Sequence, residues 1–164
     1  MKRYFVTVVV FGLCAMTSVA QTKISGTIKC GGKPDFMQVI PAGDREDHKF
    51  GVEQNKCTWI KPIEIAGLKA KDHMTSEEFE STGTTALVNG VGVATMGSGD
   101  KAFSSYHGKS TFKSDGYFIG GNGTWQFTGG TGKLQGIKGK GTFKCAPDAD
   151  TITCGVDGEY QLGI

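Results

Sequence analysis

Three histidines, five cysteines and a scatter of serines and glutamates are the side chains of this sequence that could carry chemistry. His48, His73 and His107 show no metal-ligand spacing among themselves, so no metal centre is expected and each reads first as a surface or structural residue. A sharper reading puts Tyr106 or His107 on a strand beside a cavity, with a carboxylate such as Glu53 or Glu64 nearby. There it would do acid–base work on an apolar ligand. Neighbours on a strand point to opposite faces, so only one of Tyr106 and His107 can face inward. No G-x-S-x-G is present to activate a serine. The Gly-Lys pairs do not make a phosphate loop. Gly132-Lys133 is followed by Leu134, and Gly108-Lys109-Ser110 has Phe103 where the loop needs its first glycine. No cofactor is implied.

The cysteines point to oxidation rather than catalysis. Met1 to Ala20 reads as a signal peptide: Lys2 and Arg3 start it, Phe5 to Ala15 form its apolar core, and Ser18-Val19-Ala20 is a small-residue cleavage site. The apolar run is too short for a membrane span. A lipoprotein reading through Cys14 meets Leu13, too large for the position before the lipidated cysteine. Loss of Cys14 leaves Cys30, Cys57, Cys145 and Cys154, an even number in a chain expected to be secreted or periplasmic. No C-x-x-C favours zinc.

One hairpin selects the pairing. Ile137, Gly139, Gly141, Phe143 and Cys145 share one face of a strand, and Ile152, Cys154, Val156, Gly158, Tyr160 and Leu162 share one face of the next. Pro147 to Asp150 supply the turn. Setting Cys145 against Cys154 places Phe143 opposite Val156, Gly141 opposite Gly158 and Gly139 opposite Tyr160. On the other face Lys140 meets Glu159 and Thr142 meets Asp157. Apolar meets apolar, and charges meet their opposites. Directly opposed strand positions are close enough for a disulfide. Cys30–Cys57 is then the second bridge.

Residues 21–164 form one domain. Removing Lys2 and Arg3 from eighteen basic residues leaves sixteen, matching sixteen acidic ones, and Arg45 is the sole remaining arginine. That balance argues against nucleic-acid binding. No further run could span a bilayer. Nothing resembles a long helix, and short alternating runs recur between turn signals, as in a barrel or sandwich. Turns are expected at Ala42–Asp47, Gln54-Asn55, Leu68–His73, Asn89-Gly90, Gly97–Asp100 and Ser114–Gly116. Met74 to Val88 reads as a polar strand or strand pair, with a helix as rival because of Glu77, Glu78 and Glu80. Two inward faces compete over residues 102–113: Ser104, Tyr106, Gly108 and Phe112, or Phe103, Ser105 and His107. Tyr117, Ile119, Gly121, Gly123, Trp125 and Phe127 share a face. About eight strands joined by tight turns make an all-β, single eight-stranded antiparallel up-and-down barrel stapled by two disulfides.

The segment Phe127-Thr128-Gly129-Gly130-Thr131-Gly132-Lys133-Leu134, with Gly136, Gly139 and the closing Glu159-Tyr160, resembles allene oxide cyclase-like and dirigent-like β-barrels over roughly the last 40 residues. The resemblance implies an eight-stranded barrel with a central cavity. Related plant proteins include an isomerase acting on a fatty-acid epoxide, and dirigent proteins that orient phenolic radicals without oxidising them. The first half of this chain offers no matching catalytic residues, and fold alone does not assign function.

Three functions compete: a non-catalytic exported barrel binding a small apolar ligand, a cyclase- or isomerase-like enzyme using the same cavity, and a filled barrel working through its surface. With no recognisable acid–base set, the sequence favours the first and third. Trp59 and Trp125 either line a cavity or fill the barrel, as side chains alone fill many eight-stranded barrels. Tyr106 or His107 would be the polar anchor of a bound ligand. Lys133, Lys138, Lys140 and Lys144 read as a solvated outer face. Asn122-Gly123-Thr124 matches a glycosylation acceptor. A charged pair buried beside an open cavity would favour the enzyme, and a sealed interior the surface role.

Overall fold

A computed structural model describes residues 21–163, so the expected signal peptide Met1–Ala20, with Cys14, lies outside the described residues. The strands are β1 (Thr22–Gly31), β2 (Phe36–Pro41), β3 (His48–Lys61), β4 (Glu64–Ile65), β5 (Leu68–Thr82), β6 (Thr85–Met96), β7 (Lys101–Phe112), β8 (Phe118–Gly130), β9 (Lys138–Asp148) and β10 (Thr151–Gln161). Every pairing is antiparallel. Eight strands close on themselves in the order β3, β1, β10, β9, β8, β7, β6, β5, and the β3–β5 ladder completes the ring. β2 adds to β3 beyond the end of β1, and β4 adds to the start of β5. A single 3₁₀ turn, Gly132–Leu134, is the one helical element among the described residues.

The final hairpin has the register that its cysteines and pleat require. Cys145 pairs with Cys154, Phe143 with Val156, Gly141 with Gly158, Gly139 with Tyr160, and Lys140 with Glu159. Both disulfides form as expected, Cys30–Cys57 and Cys145–Cys154. Three expected turns are instead strand. Leu68–His73 begins β5, Gln54-Asn55 lies inside β3 and Asn89-Gly90 lies inside β6. The β5–β6 turn is at Gly83-Thr84, where Gly83 takes a φ of +57° that glycine adopts without strain. The helix rival over Glu77–Glu80 gives way to β5, because Glu77 and Phe79 point inward while Glu78 and Glu80 point out.

One end of the barrel is plugged. Ile65 and Leu134 are fully buried and Met96 almost so, and Ile63, Ala70, Ala94, Ala102, Ile137 and Tyr160 pack with them. The Tyr160 hydroxyl accepts the Ala66 N–H at 3.0 Å, fastening the β4–β5 turn across the floor. Trp125 lies on this plug, over bare Gly141 and Gly158, where a Cβ would stand 2.7 and 2.5 Å from its ring. Its indole N–H donates to the Thr142 carbonyl at 3.2 Å. The other end is open. Its rim carries Pro34, Lys33, Met37, Val39, Lys49, Phe112, Lys113, Tyr117 and Pro147.

Candidate functional site

Behind that rim lies a cavity of about 1240 Å³. Its existence follows from the inner face of β6, which presents Ala86, Val88, Gly90, Gly92 and Ala94. Small side chains there leave space that a packed barrel would fill. Longer side chains from β5 and β7 lean into it. The competition over residues 102–113 resolves cleanly: Ser104, Tyr106, Ser110 and Phe112 line the cavity, and His107 is on the outside, bonded to Thr124 Oγ1 at 2.9 Å. His107 therefore takes no part in the cavity. Trp59 is half-buried in the cavity wall, over Gly26, and Trp125 is buried where wall meets floor. Glu64 is exposed on β4.

Glu53, in contrast, is inside. It stands directly across from Glu77 on the β3–β5 ladder, close enough for each carboxyl to alter the other's proton affinity. Asn55 Nδ2 donates to Glu53 Oε1 at 2.9 Å, and the Tyr106 hydroxyl donates to Glu77 Oε2 at 2.7 Å. Tyr106 reaches Glu77 across the bare Gly90. A side chain there would run into the tyrosine ring and hydroxyl. The Tyr106 ring also packs edge-on against Phe143, 5.9 Å between centroids.

Two carboxylates cannot both stay charged in such a place. Burial, reinforced by the neighbouring Glu53 carboxyl, raises Glu77 to about 7. Burial also raises Glu53, while Asn55 and Glu77 pull the other way. Near neutral pH Glu77 is thus the carboxyl poised to hold or release a proton, with the Glu53 carboxyl opposite it. The Tyr106 hydroxyl is pushed up by its burial and by Glu77, so it stays protonated as a donor. A proton donor and an acceptor opposite each other, inside an apolar chamber, form an acid–base set.

A second polar group sits nearer the floor. His73 faces the cavity edge-on to Trp59, 5.6 Å between ring centroids, and its Nδ1 is buried without a partner, as is Trp59 Nε1. Burial lowers His73 to about 4, so its ring is neutral. Among the described residues no cluster of three or more histidine, cysteine or acidic side chains could hold a metal ion.

Sequence reasoning named Glu53 and Tyr106 but missed Glu77 and His73. Their strand alternation was legible only by accepting charged and polar residues on an inward face. No protein-family model matches the chain, and no curated protein matches it.

Proposed function

We propose that this barrel is an isomerase-like enzyme acting on a small apolar molecule that carries an oxygen function. The observation that carries the reading is the Glu53–Glu77 carboxyl pair, bonded to Tyr106 in an open cavity. Glu77 gives its proton to a substrate carbonyl oxygen while Glu53 takes one from the carbon next to the carbonyl carbon. The C–H electron pair becomes a C=C bond as the C=O π pair moves to oxygen, and the reverse step returns a proton to carbon. Composition is unchanged, so the net reaction is an isomerisation. Tyr106 steadies Glu77 as its charge develops. The likeness of the C-terminal segment to allene oxide cyclase-like and dirigent-like barrels supports a barrel with a central cavity, which an enzyme and a carrier both need. The two disulfides suit an oxidising compartment, which supports a secreted or periplasmic protein. No helix among the described residues is long and apolar enough to cross a membrane.

The aromatic lining favours a second reading, a carrier that binds without converting. One experiment separates the two. Protein from its own host is extracted, and the released compound is returned in heavy water to wild-type protein and to Glu77→Gln. Deuterium on carbon, or an isomer of equal mass, formed by the wild type and not by the variant supports the enzyme. A compound that binds and comes back unchanged establishes the carrier.

A further inference from the structure

The cavity is polar at two depths, and only one of them is used by the carboxyl pair. The row Glu77, Gly90, Tyr106 is followed, two residues nearer the floor, by the row Thr75, Gly92, Ser104. Two residues of strand advance about 7 Å. Gly92 is bare for a reason like that at Gly90: other side chains occupy its space. A Cβ there would stand 2.7 Å from Ser104 Oγ and 3.2 Å from His73 Nε2. Both polar atoms thus converge above one glycine in the cavity wall. The Ser104 hydroxyl has only a long bond, 3.4 Å, to the Gly92 carbonyl. The other ring nitrogen of His73, Nδ1, is buried without a partner.

From this geometry we infer a second, uncharged oxygen-binding station, made of Ser104 Oγ and His73 Nε2 above Gly92, that anchors a hydroxyl or carbonyl of the ligand about 7 Å deeper than the Glu77 carboxyl. The inference rests on the reading that the cavity admits a small molecule, and it names what that molecule must carry. The ligand has two oxygen functions, one for the Glu77 proton and one for the station. The deeper oxygen is neutral. The lysines lining the cavity, Lys33, Lys49 and Lys113, lie at the rim, and the buried imidazole is uncharged, so a carboxylate there would have no counter-charge. A serine hydroxyl donates or accepts, and a neutral imidazole does either according to its tautomer, so alcohol and ketone both fit.

The test uses the neutral fluorescent probe N-phenyl-1-naphthylamine and three displacing compounds that differ only in oxygen: menthane, menthone and menthol. On the mature protein, menthol and menthone are expected to displace the probe about tenfold more tightly than menthane, the worth of one or two buried hydrogen bonds. Ser104→Ala and His73→Phe should each cut that preference to threefold or less while still taking up the probe. Glu77→Gln should keep it, which separates the station from the acid–base pair. The two station variants stand independently, so a folding failure in one leaves the other to decide. Equal displacement by all three compounds in wild-type protein, or a preference that survives both variants, overturns the station alone. No uptake of the probe by wild-type protein overturns the cavity reading and the station with it.

Discussion

Glu77 and His73 are buried a few residues apart on one strand, and burial moves their proton affinities in opposite directions. Glu77 is raised from 4.5 to about 7, so the folded protein keeps a proton that the unfolded chain has lost, and stability falls as pH rises between those values. His73 is lowered from 6.5 to about 4, so the unfolded chain takes up a proton that the folded one refuses, and stability falls as pH drops between those values. In wild-type protein the two slopes oppose each other from about pH 4.5 to 6.5. His73→Phe should leave stability falling with pH in that window, and Glu77→Gln should leave it rising, each by no more than about 1.4 kcal/mol per pH unit. Urea denaturation at three pH values across the window reads this directly. Slopes of the same sign in both variants would show that burial does not govern the two groups as described. Under the proposed acid–base reading, conversion of substrate should decline as pH rises through about 7, where Glu77 gives up its proton.

At the scale of the strand, Gly90 explains both a misreading and a contact. Asn89-Gly90 is a strong hairpin signal, yet β6 runs straight through it because the missing side chain makes room for Tyr106. Gly90→Ala should cost about 1–3 kcal/mol by overpacking and push Tyr106 off Glu77. Tyr106→Phe, which keeps the ring, should cost only about 1 kcal/mol. Equal losses in thermal unfolding would mean that the glycine serves the backbone rather than the tyrosine. The final hairpin was legible because its register, charges and cysteines all concern residues close in sequence. Of β5 the part from Met74 was legible as a polar strand, but its start at Leu68–His73 and its inward face were not. His73, Thr75 and Glu77 face a chamber instead of a packed core, and an inward polar row erases the alternation that identifies a strand. The β2–β3 loop holds a further pH-dependent contact. His48, only 9% exposed, bridges Asp44 in the loop at 2.6 Å and Glu80 on β5 at 2.8 Å, with Arg45 beside Asp44. Its bonds to Asp44 and then Glu80 raise its proton affinity. The stabilisation is therefore complete below about pH 6.5 and is lost as pH rises through the folded value. Hydrogen exchange of the β2 amides should accelerate over that rise in wild-type protein and show no such step in His48→Gln.

The whole molecule is held differently at its two ends. The floor is an apolar plug of isoleucines, Met96 and Leu134, whereas the open half has Cys30–Cys57 joining β1 to β3 and Cys145–Cys154 joining β9 to β10. Removing Cys30–Cys57 by double serine substitution should cost roughly 3–4 kcal/mol in the chain-entropy view. The loss should appear first as faster exchange in β1 and the outer half of β3, while the strand ends at the floor stay protected. Uniform loss of protection would mean that the two ends unfold as one unit. A chamber sealed at the floor is also a cul-de-sac: whatever goes in leaves by the door it came through, tail first. Under the proposed enzyme reading, substrate and product share that one opening, so product should compete directly against fresh substrate.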